Sequence, residues 1–420
     1  MIDWVSKKLV NTRLGNLFNG TCHIGSIEFI NILFPLITYP YLIRVLGVEI
    51  YGSLIFFQAV VGYIVIVVNY GFNVTAIRDT AKLGEDINRL SEMLSSVLIV
   101  KTLIFIACAP LYVLAVYKVP VLYANKELAF FTLYLCLQEV LVPIWFFQGI
   151  QKYGILIKIT LLSKLMFVVL IFLFVTEPDD GLLYMQINFF LALVMGLFTL
   201  WSLRNDGLYL CWVGQRKIAY LLKDGVSFFL SRAASVFGEK TISILIGQMI
   251  GMSELAYFDF ATKLANLGKL PASVFNRVLF PKVSAHYDSA LVLEAIKLVV
   301  YCSLMIMLLL IGFAEEITWL LAGEKMKEAY WGIVILSFTI PLNSVSYQLG
   351  NCVLVLNNKE RYFNFSTVYF VTINLTGLVC LWFFDLFSLI NVCLVLVLSS
   401  CYDVAYRYAY SKEILLKEKY

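Results

Sequence analysis

The sequence predicts an all-α polytopic membrane protein, with about twelve transmembrane helices in two parallel six-helix lobes around a central cavity. Of its 420 residues, 61% are hydrophobic and 14% are charged. Crossing roughly 30 Å of hydrocarbon takes about twenty predominantly apolar residues, and runs of that length recur along the whole chain. The charge distribution supports the number of spans, and an internal repeat supports the two lobes.

The N-terminal segment predicts an amphipathic cytoplasmic arm at residues 1–19. It mixes Lys7, Lys8 and Arg13 with Ile2 and Trp4 and lacks the continuous apolar core of a cleavable signal. This mixture is typical of a short helix on the membrane surface.

Cysteine and histidine usage indicates neither a disulfide framework nor a metal site. The nine cysteines are scattered without a C-x-x-C spacing, and the histidines are His23 and His286. We therefore expect no cofactor.

Hydropathy and turn signals define the predicted spans. We place them at 20–43, 53–77, 93–117, 128–150, 155–176, 183–203, 225–250, 254–275, 291–313, 330–356, 363–384 and 388–409. The eighth is the least apolar, because Asp259, Lys263, Asn266 and Lys269 lie within it and Pro271 lies near its end.

The distribution of Lys and Arg supports twelve spans and fixes an orientation. The arm, every second loop and the tail from Arg407 onward are basic, whereas the other side has Arg44, Lys118, Lys126, Lys325 and Lys327. Basic loops stay in the cytoplasm, so both termini are predicted to be cytoplasmic. Without the eighth span, the later basic loops would face outward. The net charge of +4 is then explained by topology and anionic lipids, and nucleic acid is not an expected partner.

A weak self-similarity predicts the two lobes. Leu46–Tyr51 after the first span resembles Ile250–Tyr257 after the seventh, and Gln151–Tyr153 resembles Lys359–Tyr362. Six spans per lobe preserve orientation, so the repeats are expected to be parallel. The predicted boundaries are lobes at 20–203 and 224–410, a cytoplasmic linker at 204–223 and a cytoplasmic tail at 411–420.

Charged residues interrupt the seventh span in the segment SRAASVFGEK. Arg232 and Glu239 are separated by about 20° around a helix, and Lys240 lies about 80° from Arg232. A charge at the bilayer centre costs roughly 2.5–3.5 kcal/mol on insertion scales, so these side chains are expected to face protein or water.

Polar residues recur in other spans, often at helical spacing. They are Asp259, Lys263 and Asn266; Gln58, Gly62, Asn69 and Asn73; Asn343, Tyr347 and Gly350; and the isolated ionisable residues Glu28, Lys101, Glu139 and Lys164. One interpretation is local pairing, Arg232 with Glu239 or Asp259 with Lys263, which fixes helix packing. The other, favoured by the recurrence, is a water-filled cavity lined by both lobes. Lys101 could instead extend its stem toward an interface.

Several short motifs suggest a family. They are Asn69-Tyr70-Gly71-Phe72, Ala76-Ile77-Arg78-Asp79, Trp145-Phe146-Phe147-Gln148-Gly149, Leu270-Pro271, Leu279-Phe280-Pro281, and Gly350 with Leu356-Asn357. With these motifs, essentially the whole chain resembles the Wzx-type O-antigen flippases of the multidrug/oligosaccharidyl-lipid/polysaccharide (MOP) exporter superfamily.

The resemblance implies a MATE-like fold and a transport function in lipopolysaccharide and polysaccharide biosynthesis, not an enzyme. The implied substrate is an undecaprenyl-diphosphate-linked oligosaccharide, moved by alternating access from the cytoplasmic to the periplasmic leaflet of the bacterial inner membrane. Membrane lipids, H⁺ or Na⁺, and other O-antigen assembly proteins are the further partners that it suggests.

The candidate site residues follow from this substrate. Cations attract a diphosphate, whereas buried carboxylates can couple transport to an ion. The substrate candidates are Arg232, Lys240, Lys263, Lys269, Lys101, Arg78, Asn69 and Asn343, and the ion-coupling candidates are Glu28, Glu139, Glu239 and Asp259.

Three other classes remain as alternatives. A cation-coupled drug antiporter of the same superfamily would have a cavity dominated by carboxylates, whereas basic residues outnumber acidic ones in spans seven and eight. A membrane O-antigen polymerase or glycosyltransferase usually needs a large outer loop or a D-x-D site, and Asp179-Asp180 indicates a turn instead. A major-facilitator sugar transporter is disfavoured because loop 78–92 lacks the basic signature of that class.

Overall fold

The computed structural model describes residues 30–417 except residues 32, 36 and 286, and this part of the chain is helical, with no β-strand. The predicted arm 1–19, His23, Glu28 and His286 lie outside the described residues. The all-α fold class is therefore confirmed.

The chain forms two compact units, which are described separately. The first comprises the residues up to Leu46 together with Phe57–Lys240, and the second comprises Gly47–Phe56 together with the chain from Thr241 onward. The lobe boundaries at 20–203 and 224–410, with the linker between them, stay predictions.

The helices up to residue 249 are α1 to α11. They are α1 (Leu33–Leu46), α2 (Val48–Asn69), α3 (Phe72–Ala81), α4 (Ile87–Lys118), α5 (Pro120–Ala124), α6 (Lys126–Thr132), α7 (Tyr134–Leu141), α8 (Ile144–Gly149), α9 (Tyr153–Phe174), α10 (Gly181–Asn205) and α11 (Gln215–Met249). Asp86 begins α4 by accepting hydrogen bonds from the backbone N–H groups of Asn88 and Arg89. Pro143 lies between α7 and α8, where the lost backbone N–H and the bulk of its ring favour a kink or an end of the helix.

The remaining helices are α12 to α18. They are α12 (Met252–Ala285), α13 (Ser289–Gly312), α14 (Ala314–Ala322), α15 (Ala329–Ser337), α16 (Thr339–Gln348), α17 (Glu360–Phe383) and α18 (Leu389–Lys417), with a π-helical segment (Leu349–Val355) after α16. Pro271 does not end α12, which is 34 residues long and continues to Ala285.

Nine helical segments in the described part of the chain are long and apolar enough to cross a membrane. They correspond to predicted spans two to six and nine to twelve. The seventh and eighth positions are occupied by α11 and α12, of 35 and 34 residues, whose charged side chains lower their hydropathy. The first position ends in the shorter apolar helix α1. The count of twelve stays a prediction.

The internal repeat has a counterpart in local backbone geometry. Gly47 and Gly251 both have positive φ, of 83° and 149°, and each carbonyl accepts a 3.1 Å hydrogen bond from the N–H group four residues later. Gln151 and Asn358 have φ values of 58° and 57°, and the next helix begins two residues beyond each. These matched breaks support the repeat, with Asn358 one residue from the equivalence suggested by sequence.

Reporter fusions test the predicted topology. We expect fusions at Asn88, Gln215 and Lys359 to report a cytoplasmic location, and fusions at Asp179 and Glu324 to report a periplasmic one, because basic loops are retained inside. Paired alkaline phosphatase and green fluorescent protein fusions provide the measurement. A periplasmic signal at Lys359 would contradict the predicted eighth span, on which the location of that loop depends.

Candidate functional site

The first unit contains a buried ion pair that joins α4 to α7. The side chain of Lys101 is 1% exposed, and its Nζ lies 2.6 Å from Glu139 Oε1 and donates a second hydrogen bond to the Glu139 backbone carbonyl. Asn69, the last residue of α2, donates its amide to the same Oε1 at 2.6 Å. Lys101 and Glu139, each an isolated ionisable residue in its own predicted span, are therefore partners in the fold, and Lys101 does not extend toward an interface. A buried charge needs such partners, because desolvation of an unpaired ion is costly.

A second polar contact connects α2 to α7. Gln58 donates its side-chain amide to the hydroxyl of buried Tyr134 at 3.2 Å. Gln58 and Asn69 are eleven residues apart, so they lie on one face of α2, within about 20° of each other. Two residues of the polar stripe predicted on the second span, Gln58 and Asn69, thus contact α7.

In the second unit, Tyr51, Asp259 and Lys263 form a closed hydrogen-bonded group. Lys263 Nζ lies 2.5 Å from Asp259 Oδ2, so the local pairing predicted from the i, i+4 spacing is confirmed. The Tyr51 hydroxyl donates to the same carboxylate oxygen at 2.7 Å and accepts from Lys263 at 2.9 Å. Sequence reasoning missed Tyr51 as a partner, because it lies 208 residues from Asp259 and no local spacing connects them.

The charges of α11 are arranged differently from the predicted pairing. Glu239 is paired with Lys240, at 3.1 Å, and not with Arg232. Glu239 is 71% exposed, so this pair contributes little stability. Arg232 is exposed, and within the described residues it has no carboxylate partner. The Arg232–Glu239 alternative is therefore wrong.

The remaining predicted residues of the second unit are not brought together. Lys269 is half-buried on α12 and donates to Asn266 Oδ1 at 3.2 Å; among the residues described, no carboxylate pairs with it. Asn343 is half-buried on α16.

Arg78 lies near the end of α3 between two carboxylates. It donates to both oxygens of Asp79 and, at 2.7 Å, to Asp224 on α11. Asp224 was missed, because it lies 146 residues away.

A buried cluster in the second unit was also missed. Arg407 was counted among the basic residues at the cytoplasmic end of the twelfth predicted span, but α18 continues past it and its side chain is buried. Its Nε donates to Asp403 and Ser366, and its Nη1 donates to the backbone carbonyl of Ser346, just before the π-helical segment. The hydroxyl of Ser346 donates in turn to Asp403. The available signal was an Asp and an Arg four residues apart on an apolar helix.

These features define a polytopic α-helical membrane protein. The fold is similar to that of lipid II flippase MurJ in its inward closed conformation, with a TM-score of 0.72 at 14% identity over 92% of this chain and 86% of that chain. It is also similar to an inward-facing multidrug resistance MATE family transporter of the MOP superfamily, with a TM-score of 0.65 at 15% identity over 92% and 95% of the two chains.

The chain belongs to the polysaccharide biosynthesis protein family, whose model matches residues 17–287. Two relatives are each described as "Putative O-antigen transporter". The one from Escherichia coli (strain K12) is 28% identical over 84% of this chain and 87% of its own length. The one from Shigella dysenteriae is 26% identical over 79% and 84%. The resemblance to Wzx-type MOP exporters is thereby confirmed.

Proposed function

We propose that this protein is a flippase that moves undecaprenyl-diphosphate-linked O-antigen repeat units from the cytoplasmic to the periplasmic leaflet of the bacterial inner membrane. The family match and the description of both relatives as O-antigen transporters support this class of substrate. Alternating access is the proposed mechanism, because the fold is similar to those of MOP transporters. The polar oligosaccharide cannot cross hydrocarbon unaided, whereas the polyprenyl tail can remain in lipid.

The observation that carries the proposal is that each of the predicted spans 225–250 and 254–275 contains one cation for which the described residues supply no carboxylate partner. Within the described residues, these are Arg232 on α11 and Lys269 on α12. An unneutralised cation in a membrane-spanning helix is expensive unless it faces water or a ligand. A diphosphate supplies the anionic oxygens that a guanidinium binds as a fork and an ammonium as a point charge.

The other candidates have secondary roles in the proposal. Lys240, Lys263, Lys101 and Arg78 are already paired with carboxylates, so a substrate anion has to compete for them. Asn69 and Asn343 supply amides for sugar hydroxyls.

Ion coupling is assigned to the carboxylates. At Glu139 and Asp259, an incoming H⁺ or Na⁺ competes with the ammonium groups of Lys101 and Lys263. Glu239 is the accessible carboxylate of α11. Glu28 remains a sequence-based candidate.

Deletion of the gene in its native host tests the class and the direction of transport. We expect lipid-linked repeat units to accumulate on the cytoplasmic side and surface O-antigen to be lost. Accumulation on the periplasmic side would contradict the proposal, because that is the result expected for a missing polymerase. Binding of hydrophobic cations, without any effect on O-antigen, would favour the drug antiporter.

Substitution of Arg232 tests the proposed substrate contact. Export should fall about tenfold or more in Arg232→Ala, because hydrogen bonds to charged groups contribute about 1.5–3 kcal/mol. Arg232→Lys, which keeps the charge but loses the fork, should be partly active. Surface O-antigen, normalised to protein abundance, provides the measurement.

The matched control is Arg216→Ala, which removes an exposed arginine at the start of the same helix and should leave export unchanged. Adding Glu239→Ala to Arg232→Ala should not restore export, because the two residues are not paired. Full export by Arg232→Ala at normal abundance would remove Arg232 from the site.

A further inference from the structure

In the first unit, the second half of α2 and then α3 run antiparallel to α11. The alkyl chain of Lys240 lies across Gly62, where an added Cβ would be 3.1 Å from Lys240 Cε. Further along α2, the rings of Tyr70 and Phe229 are stacked, with centroids 5.0 Å apart. Residue numbers rise along α2 where they fall along α11, so the two helices are antiparallel. We call this line of contact between them, from Gly62 and Lys240 to Tyr70 and Phe229, the helix seam.

Along the seam, the backbones of the two helices come close together at the point where α2 is interrupted. Tyr70 and Gly71 have φ values of 49° and 82°, in the left-handed region, so the chain turns between α2 and α3. A Cβ on Gly71 would lie 3.0 Å from Phe228 Cβ, and a Cβ on Gly225 would lie 2.9 Å from the Tyr70 carbonyl oxygen. Gly71 and Gly225 therefore let the two backbones approach more closely than larger residues would allow.

An ion pair completes the seam at its end. Arg78 is paired with Asp224, the residue before Gly225, at 2.7 Å. The Arg78 side chain is 40% exposed, and an ion pair this accessible contributes little to stability. The guanidinium of Arg78 is already occupied by two carboxylates, Asp79 and Asp224, so a diphosphate would have to displace them. This arrangement suits a contact that closes and opens.

We propose that Gly71, Gly225 and the Arg78–Asp224 pair form a reversible latch between the second and seventh predicted spans, at the cytoplasmic end. The latch opens to admit the anionic head group of a lipid-linked oligosaccharide and closes before release. This inference rests on the proposed function, because it assumes loading from the cytoplasmic leaflet. It assigns Arg78 to gating and not to substrate binding.

Cross-linking in intact cells tests the latch directly. Arg78→Cys and Asp224→Cys are combined and treated with a reducible bifunctional thiol reagent, and the yield is measured after cleavage at a protease site inserted in the 206–214 linker. We expect the two fragments to stay joined, export to stop, and reductant to restore export. Each single cysteine variant, which retains the native cysteines, is the control for background reaction. Cross-linked protein that exports at the untreated rate would overturn the proposal.

Glycine and charge variants test the same latch without a reagent. Gly225→Ala should lower both the cross-link yield and export, because its Cβ meets a backbone carbonyl that a side-chain rotation cannot move. The control is Gly154→Ala, whose Cβ meets nothing within 4 Å. Arg78→Asp and Asp224→Arg should each reduce export by about twofold to fivefold, and the double variant should recover it. If the double variant were present at normal abundance but did not recover export, pairing of residues 78 and 224 during transport would be contradicted.

The outcomes separate this inference from the proposed function. The cross-link yield reports the closed seam whatever the substrate is. If the gene deletion causes no accumulation of lipid-linked repeat units while the cross-link still forms, the proposed function fails. If deletion causes accumulation but cross-linked protein exports normally, only the latch fails.

Discussion

Replacing Glu139 by alanine should remove most of the protein from the membrane fraction. Lys101 would keep a buried ammonium group with the Glu139 backbone carbonyl but without the carboxylate. Breaking one side of a buried ion pair costs about 3–5 kcal/mol. That is a large part of the roughly 5–15 kcal/mol that stabilises a typical folded protein. Abundance in isolated membranes, measured by quantitative immunoblotting, provides the test.

Two control variants distinguish the loss of the buried ion pair from the loss of a carboxylate in general. Glu239→Ala makes the same chemical change at a largely exposed position and should leave abundance unchanged. The double variant Lys101→Met with Glu139→Leu removes both charges and should recover abundance, because no ion is left unpaired. Recovered abundance with lost export would assign the pair to transport, and recovered export would make it structural. Wild-type abundance of Glu139→Ala would contradict the buried pair itself.

Replacing Arg407 by alanine should cause the largest loss of stability in the second unit. The side chain serves four acceptors at once, namely Asp403, Ser366, Thr367 and the Ser346 carbonyl. Its removal leaves the buried Asp403 carboxylate with only the Ser346 hydroxyl, at a cost of about 3–5 kcal/mol. The thermal unfolding midpoint of purified protein in detergent should fall accordingly.

The control for this change is Arg361→Ala in the same unit. Arg361 is exposed and lies over the ring of Phe365, a contact that contributes about 0.5–1 kcal/mol. Arg407→Lys should be intermediate, because it keeps the charge but cannot reach all four acceptors as the planar guanidinium does. Equal midpoints for Arg407→Ala and Arg361→Ala would contradict the buried cluster.

The sequence by itself determined the class of the protein. Long apolar runs predicted a polytopic helical fold, and short motifs predicted a polysaccharide exporter family, which the family match confirms. It also determined contacts within one helical turn, such as Asp259 with Lys263, because residues four apart are neighbours on any helix. The breaks at Gly47 and Gly251 were visible in the sequence repeat for the same local reason.

Longer spacings on one helix were a weaker guide. Arg232 and Glu239 share a side of α11, but seven residues span about 10.5 Å along the axis. The adjacent Lys240 reaches Glu239 instead. Hydropathy likewise could not distinguish a basic residue at the end of a span from one buried against its neighbours, which is why Arg407 was counted with the basic residues of the cytoplasmic end.

Only the tertiary structure decided which distant charges are partners. Lys101 and Glu139 are 38 residues apart, and Arg78 and Asp224 are 146 apart. Periodicity predicts which face of a helix is polar. Which other helix packs against that face depends on the packing of the whole unit. The same packing determined that Arg232 and Lys269 have no carboxylate partner among the described residues. The physical reason is that a side chain's position on its own helix is set locally, whereas its partner is set by the close approach of another backbone, such as that allowed by Gly71 and Gly225.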